Sequence, residues 1–281
     1  MAGAGAAWQR RFADLGPRIV SAMVLAAIAF GLLWLGGFWA AALIAGLSGA
    51  AMWEWRSITA HGGGPCALSV LPYVAAVAVG VVLAGFVSPT AAFAALATGA
   101  GIGVVLDTAA GQTRRAGWSV LGAGYLGAAG IAFLWLRETD PFGVAASFWI
   151  VMVVAGSDVG GYFAGRLVGG PLLWPAVSPK KTWAGLAGGL ALAGFVGAIF
   201  SWGTTGTYYD EVCIVSAIAA LLAQAGDLSE SALKRRFGVK DSGRLLPGHG
   251  GVLDRLDGLT AAVLVAAAVL WWRDKTVFVW S

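Results

Sequence analysis

Residues 183–203 read WAGLAGGLALAGFVGAIFSWG, without one Asp, Glu, Lys or Arg. A helix rises about 1.5 Å per residue and a bilayer's hydrocarbon core is about 30 Å thick, so a run of roughly 20 apolar residues predicts a membrane-spanning helix. Working outward, comparable apolar stretches occupy 18–36, 38–53, 68–86, 89–106, 117–136, 143–165, 212–228 and 257–272. With 183–203 they make nine. Of the 281 residues 59% are hydrophobic and 11% charged, and the mean hydropathy of +0.80 excludes a soluble domain. The 43 glycines suit close packing of membrane helices, and the alternation a transmembrane barrel needs is absent. The fold class expected is all-α: a polytopic integral membrane protein with about nine transmembrane helices in one membrane domain, 1–281. Residues 1–142 supply apolar helices with few motifs, and 143–281 carry the polar loops. The first stretch follows Arg10, Arg11 and Arg18, exceeds a secretory apolar region in length and runs into a second span, so it reads as an uncleaved anchor.

With the N-terminus in the cytoplasm, all but Arg137, Arg273 and Lys275 of the 18 lysines and arginines fall on the inner side, while Glu138, Asp140, Asp210 and Glu211 fall outside. An odd number of spans therefore satisfies the positive-inside bias. The formal charge of +4 and pI of about 9.3 follow from that bias and call for no nucleic acid. Arg56, Arg114 and Arg115 read as topology signals only. Cys66 and Cys213 stand apart, with no metal-ligand spacing and no disulfide framework.

The densest polar segment, GDLSESALKRRFGVKDSGRLLPGHGGVLDRLDG (226–258), lies between the eighth and ninth stretches. If the eighth helix continues past the membrane, Asp227, Ser231 and Lys234, spaced i, i+4, i+7, share one face, flanked by Glu230 and Arg235. If the helix instead stops at Asp227, that carboxylate sits near the negative end of the dipole and favours an added cation, which a divalent metal would supply. Pro247, Gly248, His249, Gly250 and Gly251 form a run able to turn backbone N–H groups toward an anion such as a phosphate. Asp254 and Asp257 open the ninth helix at i, i+3, and one of them could join Asp227 around Mg²⁺, an ion that prefers carboxylates, phosphates and water. Simpler readings stand beside these. Lys234, Arg235 and Arg236 suit a polybasic border on anionic lipid, and Asp257 suits a helix cap. His249 suits a hydrogen bonder that orders the loop, at the site but without a proton-transfer role or zinc partners.

Two further clusters bear on chemistry. SDVGGYFAGRLVGG (157–170) places Asp158 inside the sixth span, where an ionisable side chain is costly and by default functional or paired. Gly160, Gly161 and Gly165 in the same run suit helix packing. SPKKTWAG (178–185) presents Lys180 and Lys181 with Ser178, Thr182 and Trp183 in a cytoplasmic loop, as topology determinants or as a grip on phosphate.

Taken together these residues resemble the phosphatidate cytidylyltransferases, also called CDP-diacylglycerol synthases. That family's C-terminal signature is matched in order by Ser231, Lys234, Arg235, Lys240, Asp241, Pro247, His249, Gly250, Gly251, Asp254, Arg255 and Asp257. The SPKKTW element and the Asp158, Tyr162, Gly165, Arg166 pattern extend the likeness over roughly 150–260, whereas the N-terminal half matches only in being apolar. Ala184 departs from it, since the family commonly has glutamate there; if that glutamate only caps the seventh helix, alanine costs about 1 kcal/mol.

The resemblance implies a reaction of CTP with phosphatidate giving CDP-diacylglycerol and pyrophosphate. A phosphate oxygen of phosphatidate attacks the α-phosphorus of CTP, and an anionic nucleophile needs no strong base. Expected Mg²⁺ ligands are Asp227 and Asp254 first, then Asp257 and Asp158, with a second, monovalent cation left open. Lys234, Arg235, Lys240 and Arg255 are expected on phosphate oxygens, and Ser178, Lys180 and Lys181 on one substrate. Ser231, His249, Gly250 and Gly251 complete the expected substrate-binding set. Also implied are contact with membrane lipid, a homodimer, and a place in the bacterial inner (plasma) membrane with the site facing the cytoplasm. A transporter and a CTP-dependent lipid-alcohol kinase are the rival readings, and the kinase would release CDP instead of pyrophosphate.

Overall fold

A backbone that leaves water must satisfy its own N–H and C=O groups, so each apolar stretch becomes a helix. The computed structural model describes residues 15–59, 67–207, 209–243, 245–246 and 250–279. Within them nine helices follow in chain order: α1 (Leu15–Leu35), α2 (Gly37–Ile58), α3 (Ala67–Phe86), α4 (Pro89–Ala109), α5 (Thr113–Glu138), α6 (Gly143–Leu167), α7 (Trp183–Thr205), α8 (Asp210–Arg236) and α9 (Leu253–Arg273). They correspond one to one with the nine stretches. Six, α3 to α8, are long and apolar enough to cross a membrane, and α1 adds a shorter apolar run, Ile19–Leu35. Large apolar side chains such as Trp34, Leu167, Trp202 and Trp271 face outward, where lipid is their natural solvent. This is an integral membrane protein.

The segment before α7, expected as a plain loop, forms an antiparallel hairpin of β1 (Leu172–Trp174) and β2 (Ser178–Thr182). Leu172 pairs with Thr182 and Trp174 with Ser178. Gly169 and Gly170 take positive φ (68° and 95°), which lets the chain turn off α6 into the hairpin. Thr182 then caps α7, its Oγ1 accepting from Gly185 N at 3.0 Å, so the cap exists without a carboxylate at Ala184.

Helices α6 and α7 approach closely through small residues. A Cβ added to Gly160 would stand 2.5 Å from Gly188 O, and one added to Gly188 would overlap Ala164. Packing is thus the role of Gly160 in this run. One core joins α6 to α9 around Trp149, Ile150, Val215 and Val263. A second joins Met52, Trp55, Tyr73 and Leu126 of the N-terminal helices to Leu233 of α8 and Leu253 of α9. The N-terminal helices therefore form one wall of the region that carries the polar clusters.

Arg56 corrects its reading as a topology signal. It is fully buried, and its guanidinium donates to both oxygens of the equally buried Asp107 of α4, at 2.9 and 3.0 Å. It also donates to Ser69 Oγ at 2.8 Å and to Ser119 Oγ, and Tyr73 OH donates to Asp107 at 3.1 Å. Such a charge persists in a low-dielectric interior only because it is paired and hydrogen-bonded. At the opposite end of α5, Arg137 donates to the carbonyls of Leu33 and Trp34, while Glu138 accepts from Gly37 N at 3.0 Å. One pair thus serves the C-terminus of α1 and the N-terminus of α2.

Candidate active site

The helical spacing that put Asp227, Ser231 and Lys234 on one face is realised on α8, which runs unbroken to Arg236. Ser231 Oγ donates to Asp227 Oδ1 at 3.4 Å. Across from this face stand β2, α6 and α9. Lys181 of β2 pairs with Asp227 Oδ2 at 2.5 Å and donates to Gln224 Oε1 at 2.7 Å. Gln224 Nε2 donates to Ser157 Oγ at 3.2 Å and to Asp158 Oδ1 at 3.3 Å. The three polar clusters of the sequence therefore meet at one place, and Gln224 is the hinge between them.

Lys234 stands between two carboxylates, 3.2 Å from Glu230 Oε1 and 2.7 Å from Asp254 Oδ1. Glu230 is buried and lies next to Asp257 on its other side. By spacing alone Glu230 only flanks the face of Asp227, Ser231 and Lys234. Its signal was its place four residues before Lys234 at the end of an apolar run, where a buried carboxylate needs a partner.

Asp254 differs from Asp227 and Asp257. Besides Lys234, its oxygens accept from Ser242 N at 3.1 and 3.2 Å and from Gly251 N at 3.1 Å. Asp254 lies in the charged first turn of α9, ahead of the apolar part. Burial alone would push its carboxyl up, but the Lys234 ammonium and the Ser242 donors outweigh burial and hold it at about 2. The structure so brings Asp158, Asp227, Glu230 and Asp257 into one cluster with Lys181, and sets Asp254 beyond Lys234.

Of the run expected to cradle an anion, Pro247 to Gly251, the described Gly250 and Gly251 have their amides engaged within the protein. Gly250 N donates to Leu246 O at 3.2 Å and Gly251 N to Asp254 Oδ2, so both amides are spent inside the loop. Pro247, Gly248 and His249 lie outside the described residues, as do Arg10, Arg11, Cys66 and Arg244. Arg235, Lys240 and Arg255 are exposed at the rim. Lys180, also exposed, lines a small recess of about 140 Å³ with Asp158, Tyr162, Lys181 and Gln224, while Ser178 begins β2 behind it. Arg166 donates to Tyr162 OH at 2.8 Å.

Of two larger cavities, the first adjoins the cluster. With a volume of about 700 Å³, it lies between α5, α8 and α9; Trp118, Leu121, Tyr125 and Leu264 supply apolar walls, and Glu230, Asp257 and Arg236 supply charge. Another of about 440 Å³, almost wholly apolar, is enclosed by α1, α2, α5, α6 and α9 and is bordered by Arg255. Polar chemistry and apolar volume therefore share a wall in the cavity between α5, α8 and α9.

Among the described residues no three His, Cys, Asp or Glu side chains form a ready metal cage. Mg²⁺ does not require one, since it is commonly held by one or two carboxylates plus substrate phosphates and water. Four carboxylates face two lysines here; Glu230 Oε1 has the Lys234 ammonium at 3.2 Å, and its buried Oε2 has no hydrogen-bond donor among the described residues. Carboxylates gathered beside Asp257, with Glu230 Oε2 left over as an acceptor, fit a divalent cation.

Comparison with known proteins agrees with this chemistry. A model of the cytidylyltransferase family matches residues 16–272. A phosphatidate cytidylyltransferase of Brucella suis biovar 1 is 36% identical over 258 residues, covering 89% of this chain and 90% of the relative. Phosphatidate cytidylyltransferases of Helicobacter pylori strain J99 and Bacillus subtilis strain 168 are 43% and 40% identical over 141 and 142 residues, about half of each chain. The match to the family reaches far beyond the 150–260 region and includes the N-terminal helices, in keeping with their place in the wall of the site. The chain belongs to the cytidylyltransferase family.

Proposed function

We propose that this chain transfers the cytidylyl group of CTP to phosphatidate, giving CDP-diacylglycerol and pyrophosphate, at the polar cluster shared by β2, α6, α8 and α9. The observation that carries the reading is the convergence of Lys181, Asp227, Glu230, Lys234 and Asp257 against an apolar cavity, in a chain similar to phosphatidate cytidylyltransferases over most of its length. Exposed Arg235, Lys240 and Arg255 gather anionic substrates at the rim. Lys181 and Lys234, held in place by carboxylates, are preorganised cations for phosphate oxygens. The cavity between α5, α8 and α9 takes the diacylglycerol part, leaving its phosphate beside Asp257. A phosphate oxygen of phosphatidate forms the new bond to the α-phosphorus of CTP, and the bond from that phosphorus to the bridging oxygen of pyrophosphate breaks. Asp227 and Asp257 would hold Mg²⁺, with Asp158 and Glu230 at the flank. When bound, the ion would neutralise the triphosphate and the leaving pyrophosphate. Asp254 serves by fixing Lys234.

In this reading the site faces the cytoplasm of a bacterial cell from its inner membrane, where CTP arrives from water and phosphatidate from the leaflet. Pairing of two copies is checked by the mass of the solubilised protein. The decisive assay supplies purified protein in detergent with CTP, phosphatidate and Mg²⁺. Equal amounts of CDP-diacylglycerol and pyrophosphate are expected, and loss of both with a chelator. Release of CDP would identify a kinase, and solute flux without CTP turnover a transporter; either overturns the proposal. Undiminished activity under chelation would remove the metal.

A further inference from the structure

Helix α9 begins without a cap of its own, because Val252 before it offers no side-chain acceptor. The first N–H groups of a helix have no partner within it, and burying them unpaired is costly. The missing acceptor comes from Glu54 of α2, almost 200 residues earlier in the chain. Glu54 is 1% exposed, and its Oε2 accepts from Leu253 N at 2.8 Å and from Ser242 Oγ at 3.0 Å. Ser242 Oγ accepts from Asp254 N at 3.3 Å, Ser242 N donates to Asp254, and Asp254 holds Lys234. An unbroken chain of hydrogen bonds therefore runs from α2 to the site lysine. Glycines enclose the carboxylate: a Cβ on Gly243 would overlap Glu54, and one on Gly251 would overlap Ser242 Oγ and come within 2.6 Å of Glu54 Oε2.

We infer that Glu54 is a positioning residue for the transfer reaction: it caps α9, anchors Ser242 and so sets Asp254 and Lys234 in register with the rest of the site. A carboxylate suits the place, because a negative charge at a helix N-terminus is favoured and charge-assisted hydrogen bonds are stronger than neutral ones. Close packing on Glu54 and Ser242 is the reason Gly251 is glycine.

The test uses the full membrane-embedded chain with Glu54→Ala, Glu54→Gln and Ser242→Ala, reading kcat, KM for each substrate, and the rate of tryptic cleavage after exposed Lys240. Glu54→Ala should lose about 10- to 100-fold in kcat, the scale seen when a supporting partner of a site residue is removed, with smaller changes in KM and faster cleavage. In Glu54→Gln the amide oxygen accepts the same two hydrogen bonds, so kcat should return to within about fivefold of wild type. A wild-type kcat in Glu54→Ala overturns the inference. So does a Glu54→Gln as inactive as Glu54→Ala, which would put the charge itself to work on substrate or cation. Should Glu54→Ala fail to insert, Ser242→Ala removes a single oxygen from the chain, and wild-type rate and cleavage in it would overturn the inference equally. The kcat arm rests on the proposed reaction. Absence of CDP-diacylglycerol with wild-type protein would count against that reaction, while the cleavage comparison still decides whether Glu54 orders the loop.

Discussion

Removing Asp107 should destabilise this protein more than any single change at its exposed rim. Arg56 and Asp107 are both fully inaccessible and joined by two hydrogen bonds, with Ser69, Ser119 and Tyr73 completing the shell. Asp107→Ala leaves a guanidinium buried without its counter-charge, a class of change that costs about 3–5 kcal/mol. At about 2–4 °C per kcal/mol for a chain of 150–250 residues, the melting temperature should fall by roughly 6–20 °C. Intrinsic fluorescence in detergent can follow unfolding, since the chain has 14 tryptophans. The paired replacement Arg56→Met with Asp107→Leu removes both charges together and should be less destabilised than Asp107→Ala alone, because it is the orphaned ion that costs most. A melting temperature for Asp107→Ala equal to wild type would refute the argument. So would a double variant whose loss equals the sum of the two single losses, since residues in one network should be coupled by about 0.5–3 kcal/mol.

Other expectations concern the site and its supports. Asp257→Asn and Asp227→Asn should each preserve membrane insertion and lower kcat by at least about 100-fold, the scale of a lost charge-stabilising group; wild-type turnover in both would refute their assignment. Gly188→Val pushes a branched side chain into Ala164 and the Gly160 carbonyl, so it should cost at least about 1–3 kcal/mol in stability, and an unchanged melting temperature would show that α6 and α7 can part freely. Asp254, held at about 2 against an ordinary 3.8, binds its proton less readily folded than unfolded. Its stabilisation is therefore fully present above its ordinary value and is lost as pH falls through its folded value. The stability gap between wild type and Asp254→Asn should stay constant above about pH 5 and narrow toward pH 2; a gap that widens on acidification would contradict the pairing with Lys234.

Much of this molecule is legible without coordinates. The nine helices follow from the apolar stretches, since spanning hydrocarbon forces the backbone to bond within its own segment. The shared face of Asp227, Ser231 and Lys234 follows from the helical repeat, because all three sit on one continuous helix. Gly160 reads as a packing residue from its setting in an apolar run, and Gly188 opposite confirms that role. The hairpin of β1 and β2 was less visible: SPKKT carries no alternating apolar pattern, and its partner strand is only three residues long.

What the order of residues determined by itself was every property that acts over a single helix or loop: span, period, charge bias and the signature spacing from Ser231 to Asp257. Only the tertiary structure decided which charges meet. Asp254 and Asp257 look interchangeable at i, i+3, yet packing turns one onto Lys234, Ser242 and Gly251 and the other toward Glu230. Arg56 resembles any interfacial arginine until α4 brings Asp107 to it. Glu54 shows nothing local that ties it to α9, because its partners lie far along the chain. The physical reason is common to all three: in a low-dielectric interior a charge or an unpaired N–H must find a partner, and helix packing determines which partner is within reach.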